Sequence, residues 1–342
     1  MKIEGKDYTI SVCRVLGMMM IIICHLGTAL DYSAVGQLFQ VGVQVFLLIS
    51  GYLYGDKEIS NGKIWFKNRF IKVCVPYYIF FVYALIINLL LKKPIKRVGL
   101  LLNITNLQGY RYVFTGFPFV EFVEGTTHTW FITVILLCYC LVLLLKKIDV
   151  KKFNSSRIGN VEVLLAVMFL LSILLGFFGI RIDYFVIYIL GYVLAKKKIN
   201  LGFFTGVVSC IVGMAARILM KNYCDLHGDS HLYLYVIIPL SYNFLAYGIY
   251  EVILSCRRLI DKICKIGFIK KILLYAEAVS YYVYLTHYQF TDGPFCILDR
   301  GNSKAIGIVM ILMLTLFTSE ILRQISDFVI KCIKQGKKVN AR

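Results

Sequence analysis

Charged residues are scarce in this sequence, and acidic residues are especially few. Of 342 residues only 17% are charged, and 38 basic residues outnumber 19 acidic ones, while 59% are hydrophobic. The mean hydropathy is +0.75, and no stretch is polar enough to form a soluble domain. Soluble globular chains have a lower apolar fraction than this, so the expected solvent is a bilayer. We therefore predict one membrane domain over residues 1–342.

The sequence also lacks the spacings of a metal site and a continuous basic groove. Its eleven cysteines mostly fall in apolar runs, where cysteine acts as a small packing residue, so no metal is expected. Cys224 and Cys296 fall in predicted outer loops, which leaves a disulfide between them open. The net charge of +19 is divided into short clusters beside apolar runs. Such clusters set topology and contact lipid headgroups, so the expected partners include membrane lipids and exclude nucleic acid.

We expect no cleavable signal peptide, because the first apolar run is too long, carries Arg14 and lacks a small-residue cleavage site. A helix of about 20 apolar residues crosses a bilayer core of about 30 Å. Ten runs approach that length, at about 8–30, 36–55, 73–91, 128–145, 161–178, 182–195, 201–220, 232–254, 272–292 and 304–330. We predict an all-α polytopic membrane protein of about ten transmembrane helices without a soluble domain. Its core covers about 8–330, and a basic cytoplasmic tail covers 331–342.

Most Lys and Arg residues fall in alternate connections between these runs, which places both termini in the cytoplasm and the chain in the inner (cytoplasmic) membrane. The connection 92–127 is an exception, since its first residues are basic although it is assigned to the outside. It is long and rich in aromatic residues, including Phe114, Phe117, Phe119 and Phe122. Long loops of this kind are often functional. The sequence leaves two alternatives for this connection, a re-entrant lid over the outer face and an extra interfacial helix.

Two ionisable residues lie in the first predicted helix, where such groups are costly and are functional candidates by default. Arg14 and His25 are eleven residues apart, so both project from one face, about 16 Å from each other along the axis. Imidazole titrates near neutral pH and is a suitable base. The alternative is that Arg14 reaches the inner headgroups and His25 is a packing residue.

Further polar residues lie at the ends of other predicted helices. Arg69 and Lys72 are three residues apart where the third span enters the membrane from the inside, and such a pair suits phosphate groups or anchors the helix. Ser50 and Gly51 are small residues that allow close helix packing. His128 and His287 lie in the outer half of their spans, as His25 does. The sequence gives their common depth but not whether they meet.

Taken together, these motifs resemble the acyltransferase-3 family of integral membrane acyltransferases. The resemblance covers nearly the whole chain and rests on five elements in order: Arg14 with His25, residues 42–52, residues 69–77, His128-x-Trp130-Phe131, and Tyr284-Leu285-x-His287. It implies transfer of an acyl group, usually acetyl, from cytoplasmic acyl-CoA to a hydroxyl of an envelope glycan, an exopolysaccharide or a lipid-linked sugar.

On this basis we hypothesise a role for each candidate residue. His25 would be the general base, or would assist a covalent acyl-enzyme. Arg14, Arg69 and Lys72 would bind acetyl-CoA, the acyl donor. The acceptor, or the oxyanion formed from the thioester, would be bound by the remaining candidates, which are His128, Trp130, Tyr284, His287 and Ser50.

Two other classes of function stay open at this stage. A secondary transporter or flippase for an envelope precursor would use Arg14, His25, Asp183 and Arg217 as a proton or substrate path. No paired helices broken by Gly or Pro occur in matching halves, which argues against it. A non-catalytic partner in a glycan-export complex would keep the spans without needing the Arg14 and His25 pair.

Overall fold

The protein is mainly helical over the residues that the computed structural model describes, which are 7–110, 123–150, 159–228, 230–298 and 303–339. The helices are α1 (Tyr8–Ala29), α2 (Ser33–Phe39), α3 (Gly42–Gly55), α4 (Gly62–Leu90), α5 (Arg97–Ile104), α6 (Trp130–Val150), α7 (Asn160–Gly176), α8 (Asp183–Lys197), α9 (Phe203–His227), α10 (Ile238–Ser255), α11 (Arg257–Ile263), α12 (Gly267–Thr286), α13 (Tyr288–Thr291) and α14 (Lys304–Val339). A 3-10 turn, Thr127–Thr129, leads into α6. A short helix, Ser230–Leu232, and a π-helical segment, Tyr233–Ile237, lead into α10.

Seven helical segments of the described residues are long and apolar enough to cross a membrane: Tyr8–Ala29, Ser33–Gly55, Gly62–Leu90, Thr127–Ile148, Phe203–His227, Ser230–Ser255 and Lys304–Gln335. The other three predicted spans are helices as well. Two of them are short, with 17 residues in α7 and 15 in α8, and α12 carries three charged side chains among its 20 residues. The all-α, multi-pass membrane fold is confirmed, and the number of ten spans stays a prediction.

Close contact between α3 and α8 depends on glycine. A Cβ on Gly51 would lie 2.0 Å from the Tyr188 carbonyl oxygen, and one on Gly191 would lie 2.0 Å from that of Leu48. Only glycine permits such backbone contact, which is a common means of packing membrane helices. The expected role of Gly51 is therefore confirmed. The contact holds α3 directly against α8.

The long connection after α4 turns back onto that helix. The Tyr77 hydroxyl donates to the carbonyl oxygen of Asn103 at 3.1 Å, and the Tyr78 hydroxyl donates to that of Ile104 at 2.8 Å. Both tyrosines lie near the middle of α4, so α5 is an additional helix that packs against α4. The four phenylalanines on which the lid prediction depended, Phe114, Phe117, Phe119 and Phe122, lie outside the described residues.

All eleven cysteines lie in the described residues, and each is a free thiol. The disulfide left open between Cys224 and Cys296 is therefore absent. Cys224 is buried in α9, whereas the Cys296 thiol donates to the carbonyl oxygen of Thr291 at 3.2 Å.

Candidate functional site

Three histidines from distant parts of the chain meet in the bundle. His25 is on α1, His128 is in the turn before α6, and His287 is at the junction of α12 and α13. The ring centroids of His25 and His287 are 5.1 Å apart, and those of His128 and His287 are 5.2 Å apart. The Tyr288 ring lies 4.9 Å from both His25 and His128. These helices thus bring together residues that the sequence placed only at a common depth.

Backbone carbonyls fix the tautomers of two of these rings. The Nε2 atom of His128 lies 3.1 Å from the carbonyl oxygen of Leu285, and Nδ1 of His287 lies 2.8 Å from that of Tyr284. A carbonyl only accepts hydrogen bonds, so each of these nitrogens carries the proton. The opposite nitrogens, Nδ1 of His128 and Nε2 of His287, are buried without a hydrogen-bond partner in the described residues. Both rings therefore present an unprotonated nitrogen whose lone pair can accept a hydrogen bond.

A small cavity lies against this cluster. It measures about 60 Å³, and its lining includes His25, His128, Trp130 and Tyr284. The Trp130 ring also packs 5.3 Å from that of Tyr184, and the Tyr284 hydroxyl donates to the carbonyl oxygen of His128. His25 is partly buried and lines this cavity, and its ring packs against those of His287 and Tyr288.

A larger cavity of about 240 Å³ adjoins the small one. Arg14 and Ser50 line it, and three residues, Ile21, Phe131 and Tyr284, line both cavities. The face of α1 predicted from the spacing of Arg14 and His25 therefore borders the two cavities in succession. Ser50, predicted to contact the acceptor, lies in the cavity of Arg14 rather than in that of His25.

Arg14 has a partner that the sequence analysis missed. Its guanidinium lies 2.9 Å from an oxygen of Glu277 on α12, and the Ser11 hydroxyl donates to the other oxygen at 2.8 Å. The Glu277 side chain is 11% exposed and lines the larger cavity. A sequence signal was present, because Glu277 is an ionisable residue within a predicted span. Its pairing with a residue 263 positions earlier was not predictable from spacing.

Arg69 and Lys72 occupy different environments although they share α4. The Arg69 guanidinium lies over the Tyr54 ring, 5.4 Å from its centroid, and Tyr54 packs 6.1 Å from Tyr139, which lines the larger cavity. Lys72 is exposed. Neither side chain lines the cavity. Arg69 contacts Tyr54, which in turn contacts the cavity residue Tyr139.

Imidazoles and a paired arginine lie around two adjoining cavities inside a bundle of membrane helices. Polar groups in such a position are typical of membrane proteins with a catalytic or binding site. Comparison with known protein families matches residues 7–322 to the acyltransferase domain of the acyltransferase-3 family. This match covers nearly the whole chain, which therefore belongs to that family and is a membrane acyltransferase. Comparisons with curated proteins and with solved structures give no match.

Proposed function

We propose that this protein transfers an acetyl group from cytoplasmic acetyl-CoA to a hydroxyl of a cell-envelope glycan or a lipid-linked sugar. The observation that carries the proposal is the succession of two adjoining cavities along α1, the first lined by Arg14 and the second by His25. An elongated donor with an anionic head and a reactive thioester at its far end has the shape and charge that suit this arrangement.

The donor's phosphates would bind at the inner end, where Arg14, Arg69 and Lys72 supply positive charge. An arginine can hold a phosphate through two parallel hydrogen bonds, whereas a lysine acts as a point charge. The pantetheine arm would follow the larger cavity past Ile21, which is shared with the smaller cavity. The smaller cavity, at about 60 Å³, suits a short acyl group such as acetyl.

His25 would act as the general base that accepts the proton of the acceptor hydroxyl as its oxygen attacks the thioester carbonyl. The N–H groups of His128 and His287 are already bonded to backbone carbonyls. These two rings therefore offer lone pairs that suit an acceptor hydroxyl better than an oxyanion. Trp130 and Tyr284, which line the same cavity, would contact the acceptor.

We further propose an orientation in the inner membrane with both termini in the cytoplasm, because basic residues flank the ends of α1 and α14 on that side. Membrane lipids surround the apolar faces, and no nucleic-acid partner is expected.

The transporter alternative has less support. Arg14 pairs with Glu277, Asp183 pairs with Arg181 at 2.7 Å, and Arg217 donates to the Gln37 carbonyl oxygen at 2.9 Å. A proton path needs polar groups in succession, but Asp183 and Arg217 line neither of the two adjoining cavities.

The test is mass analysis of surface glycans from a strain lacking the gene, complemented with wild type, His25→Ala or an empty vector at matched protein levels. We expect O-acetyl groups only with wild type. Unchanged acetylation in the deletion strain would overturn the proposal and favour the transporter or export-partner functions. Normal acetylation with His25→Ala would remove His25 as the base.

A further inference from the structure

A thiol lies in the cavity that contains the proposed base. Cys24 precedes His25 on α1 and lines the smaller cavity with His25 and His128. Ile21, which lines both cavities, is three residues before Cys24 and four before His25, so all three lie on one side of the helix. None of the other ten cysteines lines either cavity.

A second side chain with an unpartnered polar atom lines the same cavity. His128 is 3% exposed and lines the same cavity, and its Nδ1 atom is an unpartnered lone pair. A thiolate, formed when an imidazole takes the proton of a thiol, is a strong nucleophile.

We propose that Cys24 carries the acyl group between donor and acceptor. The inference rests on the proposed function and adds a covalent step to it. In the first step the Cys24 sulfur attacks the thioester carbonyl of acetyl-CoA. The new sulfur–carbon bond forms, the bond to the CoA sulfur breaks, and the thiol proton passes through an imidazole to the departing CoA thiolate.

In the second step the acceptor hydroxyl attacks the thioester on Cys24. An oxygen–carbon bond forms, the bond to the Cys24 sulfur breaks, and the hydroxyl proton returns through an imidazole to the thiolate. No oxidant or reductant is needed. The exchange of one thioester for another keeps the acyl group activated, and it lets CoA leave through the larger cavity before the acceptor reacts.

The full-length protein, reconstituted in lipid nanodiscs, tests this step with radiolabelled acetyl-CoA and no acceptor. We expect label to remain on the denatured protein, approaching one acetyl per chain, and neutral hydroxylamine to release it as it does a thioester. Cys24→Ala should carry none and should lower glycan acetylation by about 100-fold or more, as for loss of a catalytic group. Cys24→Ser, a second variant of nearly the same size, should carry label that resists neutral hydroxylamine. The matched control is Cys140→Ala, because Cys140 is an exposed thiol on α6.

Absence of hydroxylamine-sensitive label on wild type, or equal label on Cys24→Ala, would overturn the covalent step. If His25→Ala abolishes glycan acetylation while Cys24→Ala and Cys24→Ser leave it at the wild-type level, the covalent step is wrong and the proposed function stands. If deletion of the gene leaves the glycan unchanged, the proposed function itself is wrong.

Discussion

At its Arg14 end, helix α1 borders a cavity of about 240 Å³ that contains an ion pair, whereas at its His25 end it borders one of about 60 Å³. No Asp, Glu, Lys or Arg among the described residues lines the smaller cavity. Charge is expensive to bury without a counter-charge, and Glu277 provides one for Arg14. Neutral imidazole rings need no counter-charge, so they can line a cavity that has no charged residue. Under the proposed function, binding of the anionic donor and acyl transfer would be separated along one helix.

The largest expected effect lies at the His25 end. His25→Ala should lower the rate of acetyl transfer by about 100- to 10,000-fold, the range for a lost general acid or base. Transfer is measured as glycan O-acetylation at matched protein levels. His227→Ala is the control, because His227 is an exposed histidine near the end of α9. If His25→Ala and His227→Ala give equal glycan O-acetylation, the His25 end of α1 does not carry the chemistry as proposed.

Substitutions of His128 test whether the lone pair on its Nδ1 atom takes part in catalysis. In His128→Gln the side-chain amide can still donate to the Leu285 carbonyl, but no group replaces Nδ1. We expect kcat to fall by about 10- to 100-fold, at or below the lower end of the range for acid–base groups, with little change in thermal stability. His128→Asn should instead leave the buried Leu285 carbonyl unpaired and cost about 1–3 kcal/mol of stability. Thermal unfolding in detergent compares the two variants, and a wild-type kcat for His128→Gln would show that Nδ1 has no catalytic role.

At the charged end, Arg69→Gln should act on donor binding rather than on chemistry. Loss of a charge-assisted hydrogen bond worth about 1.5 kcal/mol corresponds to about a tenfold rise in KM for acetyl-CoA. The effect should shrink at high salt, because ions screen the phosphates. Lys67→Gln, an exposed position on the same helix, is the control. A fall in kcat with an unchanged KM would contradict a donor-binding role.

The smallest effect is expected for Glu277→Gln. The change removes the counter-charge of Arg14, which is 36% exposed, so the guanidinium becomes more available to an anionic donor. Partly exposed pairs are worth about 0.2–1 kcal/mol, so KM for acetyl-CoA should fall by no more than a few-fold at low salt. Glu320→Gln, which breaks the ion pair with Arg323 on α14, is the control. A tenfold loss of kcat would instead place Glu277 in the chemical step.

Much of this site was predictable because the relevant signals are local. The helix rise alone puts Arg14 and His25 on one face of α1, and the hydropathy of each run predicts a helix in a bilayer. The role predicted for Ser50 stays a prediction, and the cavity that it lines was not predictable, because its span has ordinary packing character. Cys24 was counted with the packing cysteines, because a thiol beside a histidine looks the same in sequence whether it faces a cavity or the core.

The sequence by itself determined that the chain is an all-α membrane protein with a cation and an imidazole on its first helix, since hydropathy and helical period act over neighbouring residues. Only the tertiary structure decided that the three histidines meet, that Glu277 is the partner of Arg14, and which imidazole nitrogens are free. These features depend on the lateral order of the helices and on backbone carbonyls such as that of Leu285, which lies 157 residues from His128. Contacts over such distances follow from packing of the whole bundle, which no local pattern specifies.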